Sequence, residues 1–340
     1  MTLKTRNLTR RLILGLLFGF VVVLALVLAG DLRQVSQHVL AFRWSLFPLV
    51  LGLTLFNYIL RFIKWHYYLK QVGVQDLPVR ESGRLFVAGF PLAVTPGKVG
   101  EALKGVWLNQ KTGLPVARGV AVVLAERISD GLGVLALSTL GVIAYPRYWP
   151  AFAAVLAALL AVIVISQIRP LALFLLGLGE RLPLIKRFAH LLHEFYEGSF
   201  ALFRPKVVLV AVCLGTLSWL GEGIGLYVVL LGLGVPAGSQ TLFLAVFVLA
   251  FSTVIGAVST LPGGLGASEA SIAGMLGFLL ALPAGESAAA TLLIRFATLW
   301  FGVGLGLLVW TFSGDLLGMQ APQAEENPGR RQALESGPQD

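Results

Sequence analysis

Residues 241–270 read TLFLAVFVLAFSTVIGAVSTLPGGLGASEA. The first twenty carry no charge, and about twenty apolar residues make a helix long enough to cross the hydrocarbon of a bilayer. Pro262 then interrupts helical hydrogen bonding, because proline lacks an N–H and pushes the residue before it into extended conformations. Gly263, Gly264 and Gly266 follow, and then Glu269. A break in an apolar setting leaves backbone groups unpaired. In hydrocarbon these cost several kcal/mol each, so they must be buried in protein or line a wet cavity. The stretch 241–282 is read as a helix pair broken inside a membrane bundle.

A second stretch, 82–108, has the same construction around Pro96, Gly97 and Gly100. The composition fits a bilayer. Of 340 residues, 57% are hydrophobic and 13% charged, with mean hydropathy +0.84, against about 45–50% and about 25% in soluble domains. A soluble globular protein, a disordered chain and a disulfide-rich secreted module are excluded. Cys213, the single cysteine, lies in an apolar run, so neither a disulfide nor a cysteine metal site is expected. Full spans are expected at roughly 12–29, 44–61, 116–144, 150–168, 207–232 and 286–312.

The expected fold is an all-α polytopic membrane protein, six spans plus two Pro/Gly-broken re-entrant hairpins. It divides into an N-terminus 1–11, a first half 12–145 holding the hairpin 82–108, a second half 146–314, and a polar disordered tail 315–340. The second half holds an amphipathic segment 170–206 and the hairpin 241–282. In that segment Leu184, Phe188, Leu191, Leu192 and Phe195 recur at helical spacing. They describe a helix lying on the inner membrane surface or packed on the bundle. Lys4, Arg6, Arg10 and Arg11 precede an apolar run longer than a signal h-region, which points to an uncleaved first span.

With a cytoplasmic N-terminus and hairpins that return to their own side, 21 of the 24 Lys/Arg outside the spans fall inside. Only Arg33, Arg43 and Arg147 fall outside. This positive-inside bias predicts the inner membrane with both termini cytoplasmic, and it accounts for the net charge of +9 without nucleic acid. Trp44, Trp65, Trp107, Tyr145, Tyr148 and Trp149 fall near expected interfaces as belt anchors. Gly15 with Gly19, and Gly302 with Gly306, have the spacing for close helix contact.

The two broken stretches form a repeat. PGKVGE (96–101) and PGGLGASE (262–269) share Pro-Gly-x-(Val/Leu)-Gly with a glutamate soon after, Glu101 and Glu269. A Leu-Pro step follows each, at Pro115 and Pro283, and an intramembrane arginine comes 12 residues later, Arg127 and Arg295. The offset is 166 at the motif and 168 at the later landmarks. The expected topology inverts one half relative to the other. Paired interrupted segments in inverted halves are a sequence pointer to a transport site near the midplane. Half-helix N-termini at such breaks suit an anion such as phosphate.

Charges inside the spans sharpen the site. A central arginine costs about 2.5–3.5 kcal/mol on insertion scales and usually faces a cavity. Arg127 sits in Glu126-Arg127-Ile128-Ser129-Asp130, where Arg127 and Asp130 can pair on one face. Arg295 has no acidic neighbour within four residues, so its partner must be a ligand or another helix, with Glu222 and Glu269 the candidates. Glu222 is either such a partner or a proton carrier. Glu101 and Glu269 either cap the half-helix after each break or meet ligand. Lys98 either contacts a headgroup phosphate or snorkels to the interface. No Walker, dinucleotide, zinc-protease or nucleophile-elbow pattern is present, so neither a cofactor nor a metal is expected and enzymatic activity is not.

The stretches TPGKVGEALK (95–104), ERISDGLG (126–133) and LPGGLGASEA (261–270) resemble the lysylphosphatidylglycerol synthase transmembrane, or flippase-like, family, and the resemblance runs from about 12 to 314. In fused members this region precedes a soluble aminoacyl-transferase domain, which this sequence lacks. The resemblance implies lipid translocation rather than lipid aminoacylation, with Glu101, Glu126, Arg127, Asp130 and Glu269 at the recurring polar positions. The expected function is a lipid flippase or scramblase-like transporter for a phospholipid or polyprenyl-phosphate-linked headgroup. Its partners are membrane lipids and a possible separate lipid-modifying enzyme. The rival readings are an ion-coupled small-solute carrier, a lipid transferase using Glu126 or Glu269 as base, and a non-catalytic partner of a lipid-modifying enzyme.

Overall fold

A computed structural model describes residues 3–95, 100–144, 149–180 and 189–316. Among these the chain is helical, without strands. The helices are α1 (Leu3–Ala29), α2 (Leu32–Ala41), α3 (Phe47–Gln71), α4 (Val79–Ala88), α5 (Leu103–Thr112), α6 (Val116–Ala144), α7 (Trp149–Gln167), α8 (Arg169–Glu180), α9 (Ala189–Leu202), α10 (Pro205–Leu233), α11 (Ser239–Val258), α12 (Ala267–Leu280), α13 (Ala284–Arg295) and α14 (Phe301–Thr311). A π-helical turn, Phe296–Trp300, joins α13 to α14, and short 3-10 turns occupy Phe90–Val94 and Pro262–Gly264.

Among the described residues, five helical stretches are long and apolar enough to cross a membrane, or six when the bent pair α1–α2 is counted as one. The 96° bend of that pair falls at Gly30-Asp31. The Asp31 side chain accepts the Arg33 N–H at 3.0 Å and so caps α2. Helix α6 is as long as α10, 29 residues each, but holds three charges in its middle. Apolar side chains such as Phe20, Phe278 and Phe312 stand exposed on the outside, as lipid-facing residues do.

The centre of the bundle is α10, which packs along α3, α6 and α11. Its apolar residues run all round the helix, which is the pattern of a buried helix. One core, around Trp65, Tyr68, Phe86, Trp107 and Ala121, joins α3 to α4, α5 and α6. A second, around Val50, Leu226, Leu249 and Ile294, joins α3 and α10 to α11, α12 and α13. Helix α9 packs against α6, with Arg118 Nε 2.5 Å from Glu194 Oε2, so its described part is a bundle helix.

Several expectations change here. The span expected at 44–61 continues as one helix to Gln71, because Arg61 and Lys64 have partners inside the bundle. Trp65 and Trp107 are core residues, at 0% and 3% exposure, rather than belt anchors. The Trp107 Nε1–H donates to the Leu316 carbonyl at 2.9 Å. Asp315, expected at the start of a loose tail, accepts both Arg84 guanidinium nitrogens, at 2.8 and 2.9 Å, and sits 2.8 Å from Lys111 Nζ. Residues 313–316 therefore strap α4 to α5. The stretch expected at 241–260 lies in a continuous 20-residue helix, Ser239–Val258, about 30 Å at 1.5 Å per residue, and leaves it at Ser259. Tyr145, Tyr148, residues 181–188 of the amphipathic segment and residues 317–340 lie outside the described residues.

Candidate functional site

Helix α3 sets three polar side chains, Tyr58, Arg61 and Lys64, at three-residue spacing, which places them along one face. Across from them α6 presents Glu126, Arg127 and Asp130, the segment leading into α5 presents Glu101, and the first turn of α5 presents Lys104. Arg61 Nη2 lies 3.0 Å from Glu126 Oε1, and its Nε lies 3.5 Å from Asp130 Oδ2. Lys64 Nζ donates to Asp130. Lys104 Nζ lies 3.4 Å from Glu126 Oε2, and also stands over the rings of Trp65 and Phe86, at 4.9 and 5.3 Å from their centroids. Arg127 reaches Glu101 and Glu126, each at 3.2 Å. Its nearest acids are these two, not the Asp130 that helical spacing offered.

The second half contributes a matching pair. Arg295 ends α13, immediately before the π-helical turn, a feature often found at functional sites. Its Nε lies 2.5 Å from Glu269 Oε1, and its Nη2 donates to the Gly263 carbonyl at 3.2 Å. Glu269 Oε2 accepts the Gly266 N–H at 2.7 Å and caps α12. One carboxylate thus caps α12 and pairs with Arg295. It also occupies the N–H at that helix start, which was expected to face the cavity. Gly263, Gly264 and Gly266 have φ of 61°, 69° and 85°, a left-handed run that glycine adopts without steric cost. In the π turn the Thr298 carbonyl accepts the Tyr58 hydroxyl at 2.5 Å.

These groups surround a cavity of about 150 Å³. Arg61, Lys104, Arg127 and Arg295 line it together with Glu101 and Glu222, and Trp219, Ser252 and Thr253 complete the polar wall. Glu126 and Asp130 lie behind the cations and do not line the space; both are buried, at 0% and 4% exposure. Arg295 faces a second space as well. A groove of about 580 Å³ between α1, the α2–α3 junction and α13 is walled by apolar side chains such as Phe20, Trp44, Phe47, Phe296 and Trp300. Glu269 and Arg295 are the charged residues lining it. Phe20, Trp44 and Phe296 are at least half exposed, so the groove opens on the lipid-facing surface. Arg295 therefore faces both a polar cavity and an apolar groove, with Glu269 on the groove side.

The structure brings Glu101, Glu126, Arg127 and Asp130 into one network and places Glu222, Glu269 and Arg295 beside it. Gly100 lies in the turn before α5, with its N–H on Thr95 Oγ1 at 2.9 Å. Pro262 opens the 3-10 turn before α12. Pro96, Gly97 and Lys98 lie outside the described residues. Tyr58, Arg61, Lys64 and Lys104 belong to the site although the sequence reading left them out. The available signal was the three-residue spacing of Arg61 and Lys64, on a helix whose apolar face continues through Trp65, Tyr68 and Leu69.

Two curated archaeal proteins are similar to this chain, both named "UPF0104 membrane protein" and both from Methanothermobacter thermautotrophicus (strain ATCC 29096 / DSM 1053 / JCM 10044 / NBRC 100330 / Delta H). One is 25% identical over 312 residues, covering 85% of this chain and 90% of the relative. The other is 29% identical over 281 residues, covering 74% and 80%. Residues 12–306 match the lysylphosphatidylglycerol synthase TM region, and with a match over most of its length the chain belongs to that family of multi-pass membrane proteins.

Proposed function

We propose that the protein moves an anionic lipid headgroup between membrane leaflets. The observation that carries this is the position of Arg295, which lines both the polar cavity and the apolar groove, while its partner Glu269 lines the groove. A solute carrier needs only the first. An amphiphile needs both: a cationic place for its phosphate and a continuous apolar wall for its chains. Arg61, Arg127 and Arg295 are the phosphate-binding groups in this reading, since a guanidinium matches phosphate geometry. Glu126, Asp130 and Glu269 hold those cations in place while the cavity is empty, and Glu101 restrains Arg127.

The protein sits in the cytoplasmic membrane with both termini inside, and its halves form an inverted repeat with a break in each. Helices α4 and α5 support the first hairpin, since ten residues each give about 15 Å, half of the hydrocarbon thickness. Arg61, Lys64 and Lys104 belong to the site rather than to loops, yet the remaining cytoplasmic excess still favours this orientation. A reporter fused at Asp340 tests it, and an extracellular signal overturns it.

Reconstitution tests the function. Purified protein is placed in liposomes with tail-labelled anionic or cationic phospholipids, and leaflet exchange is followed with an impermeant quencher. The expected result is exchange of the anionic lipid that Arg295→Ala and Arg127→Ala abolish in folded protein. Exchange unaffected by both substitutions, or none for any lipid with or without a proton gradient, overturns the reading.

A further inference from the structure

Five acidic side chains are buried inside the described bundle: Glu101, Glu126, Asp130, Glu222 and Glu269. Four have a basic group within 4 Å. Glu222 has no such partner among the described ion pairs, although it lines the cavity and is 5% exposed. It lies in the middle of α10. The charged and titratable groups that face that part of α10 are Tyr58, Arg61 and Lys64 from α3, Asp130 from α6 and Arg295 from α13. Helix α11, packed along the same stretch, contributes no titratable side chain. Arg43 meets α10 only at the Gly232 carbonyl, ten residues away, or about 15 Å along the axis.

With the ion-paired groups charged, the net charge of this interior follows Glu222. Five cations, Arg61, Lys64, Lys104, Arg127 and Arg295, face five carboxylates. With Glu222 ionised the set is neutral. With Glu222 protonated it carries one positive charge, which is the complement of one phosphodiester. A buried carboxylate without a close cation is costly, and a second anion arriving at Arg61 and Arg295 raises that cost further. A headgroup phosphate therefore favours protonation of Glu222, and by linkage protonation favours phosphate.

We propose that the cavity binds one proton on Glu222 together with each monoanionic phosphodiester headgroup, so that the loaded site is electroneutral and transport is proton-coupled. The proton comes from water on the loading side, forms an O–H bond with the Glu222 carboxylate, and returns to water when the headgroup leaves. This rests on the lipid reading above and adds the coupling ion to it.

The test is calorimetry of purified full-length protein with short-chain phosphatidylglycerol, in buffers of different ionisation enthalpy, across pH 6–9. Wild type is expected to take up close to one proton per lipid over part of this range, with affinity falling up to tenfold per pH unit on the alkaline side. Glu222→Gln is expected to bind with no proton uptake and no pH dependence, and Glu222→Asp to restore uptake. Wild-type binding without proton uptake overturns the coupling and leaves the lipid reading intact, and it needs no variant to fold. Uptake unchanged in folded Glu222→Gln assigns the proton elsewhere and also overturns the proposal. Absence of phosphatidylglycerol binding at every pH overturns both together.

Discussion

Replacing Glu126 with glutamine tests whether the polar network holds the bundle together. Glu126 is fully buried and touches Arg61, Lys104 and Arg127. After Glu126→Gln, Arg61 keeps Asp130 at 3.5 Å and Arg127 keeps Glu101 at 3.2 Å. Lys104 is left without a described carboxylate partner, at 3% exposure, with only the Trp65 and Phe86 rings beside it. Removing one partner of a buried pair costs about 3–5 kcal/mol, chiefly through the charge left behind. The loss should therefore fall on Lys104. Adding Lys104→Met to Glu126→Gln should recover part of the stability, with a coupling of about 1–3 kcal/mol. Glu222→Gln removes a carboxylate without an ion pair and should cost about 1 kcal/mol or less, because it strands no cation. Unfolding by graded SDS in mixed micelles, read by far-UV circular dichroism, measures wild type, Glu126→Gln, Lys104→Met, their double variant and Glu222→Gln. Equal stabilities for Glu126→Gln and Glu222→Gln, or a double variant weaker than Glu126→Gln alone, would refute this account.

Gly306→Ala should destabilise by about 1–3 kcal/mol through overpacking, since a Cβ there would lie 2.2 Å from Pro91 Cδ and 2.8 Å from the Val87 carbonyl oxygen; the same SDS titration reads it, and neutrality would contradict the α4–α14 contact. Tyr58→Phe strands the Thr298 carbonyl in the π turn and should cost about 1–3 kcal/mol, while slowing anionic-lipid exchange by loosening Arg295. An unchanged exchange rate would separate the π turn from function. Asp315→Asn should raise hydrogen exchange at residues 313–316. Arg84 and Lys111 hold the Asp315 carboxyl well below the usual carboxylate range. Its contribution is therefore fully present above its unfolded pKa of about 4 and fades as pH falls through the depressed folded value. The wild-type advantage should be constant from pH 5 to 8, and a marked slope in that window would contradict the strap.

The sequence was most legible where the physics is local. Long charge-free runs announce helices in lipid, and Pro262 with its glycines announces a break, because hydropathy and backbone chemistry act over a few residues. The isolation of Arg295 in its own helix was enough to demand a partner from elsewhere, and Glu269 was one of two candidates. The expected span 44–61 ends at Arg61 and leaves Lys64 outside because the segment RFIKWHYYLK loses its apolar average after Leu60. What keeps that segment helical is a pair of acids on α6, more than sixty residues away, and no window sees them. Trp65 and Trp107 were misplaced for a related reason. An aromatic residue beside charges looks the same at an interface and in a core, and only tertiary packing decides which it is.

The pairing of α3 with α6 also bears on how the chain is made. Arg61 and Lys64 enter the membrane on one helix, and their acids arrive 65 and 66 residues later. Each exposed charge is penalised by about 2.5–3.5 kcal/mol at a helix centre. At about 5–20 residues per second, α3 waits roughly 3–13 seconds for α6. During that interval it should stay near the translocation machinery, or at a shallow depth, and not disperse into lipid. Ribosome-bound chains cut before and after residue 130 should then differ in how readily α3 is crosslinked to lipid, which makes assembly of this site an event of synthesis as well as of folding.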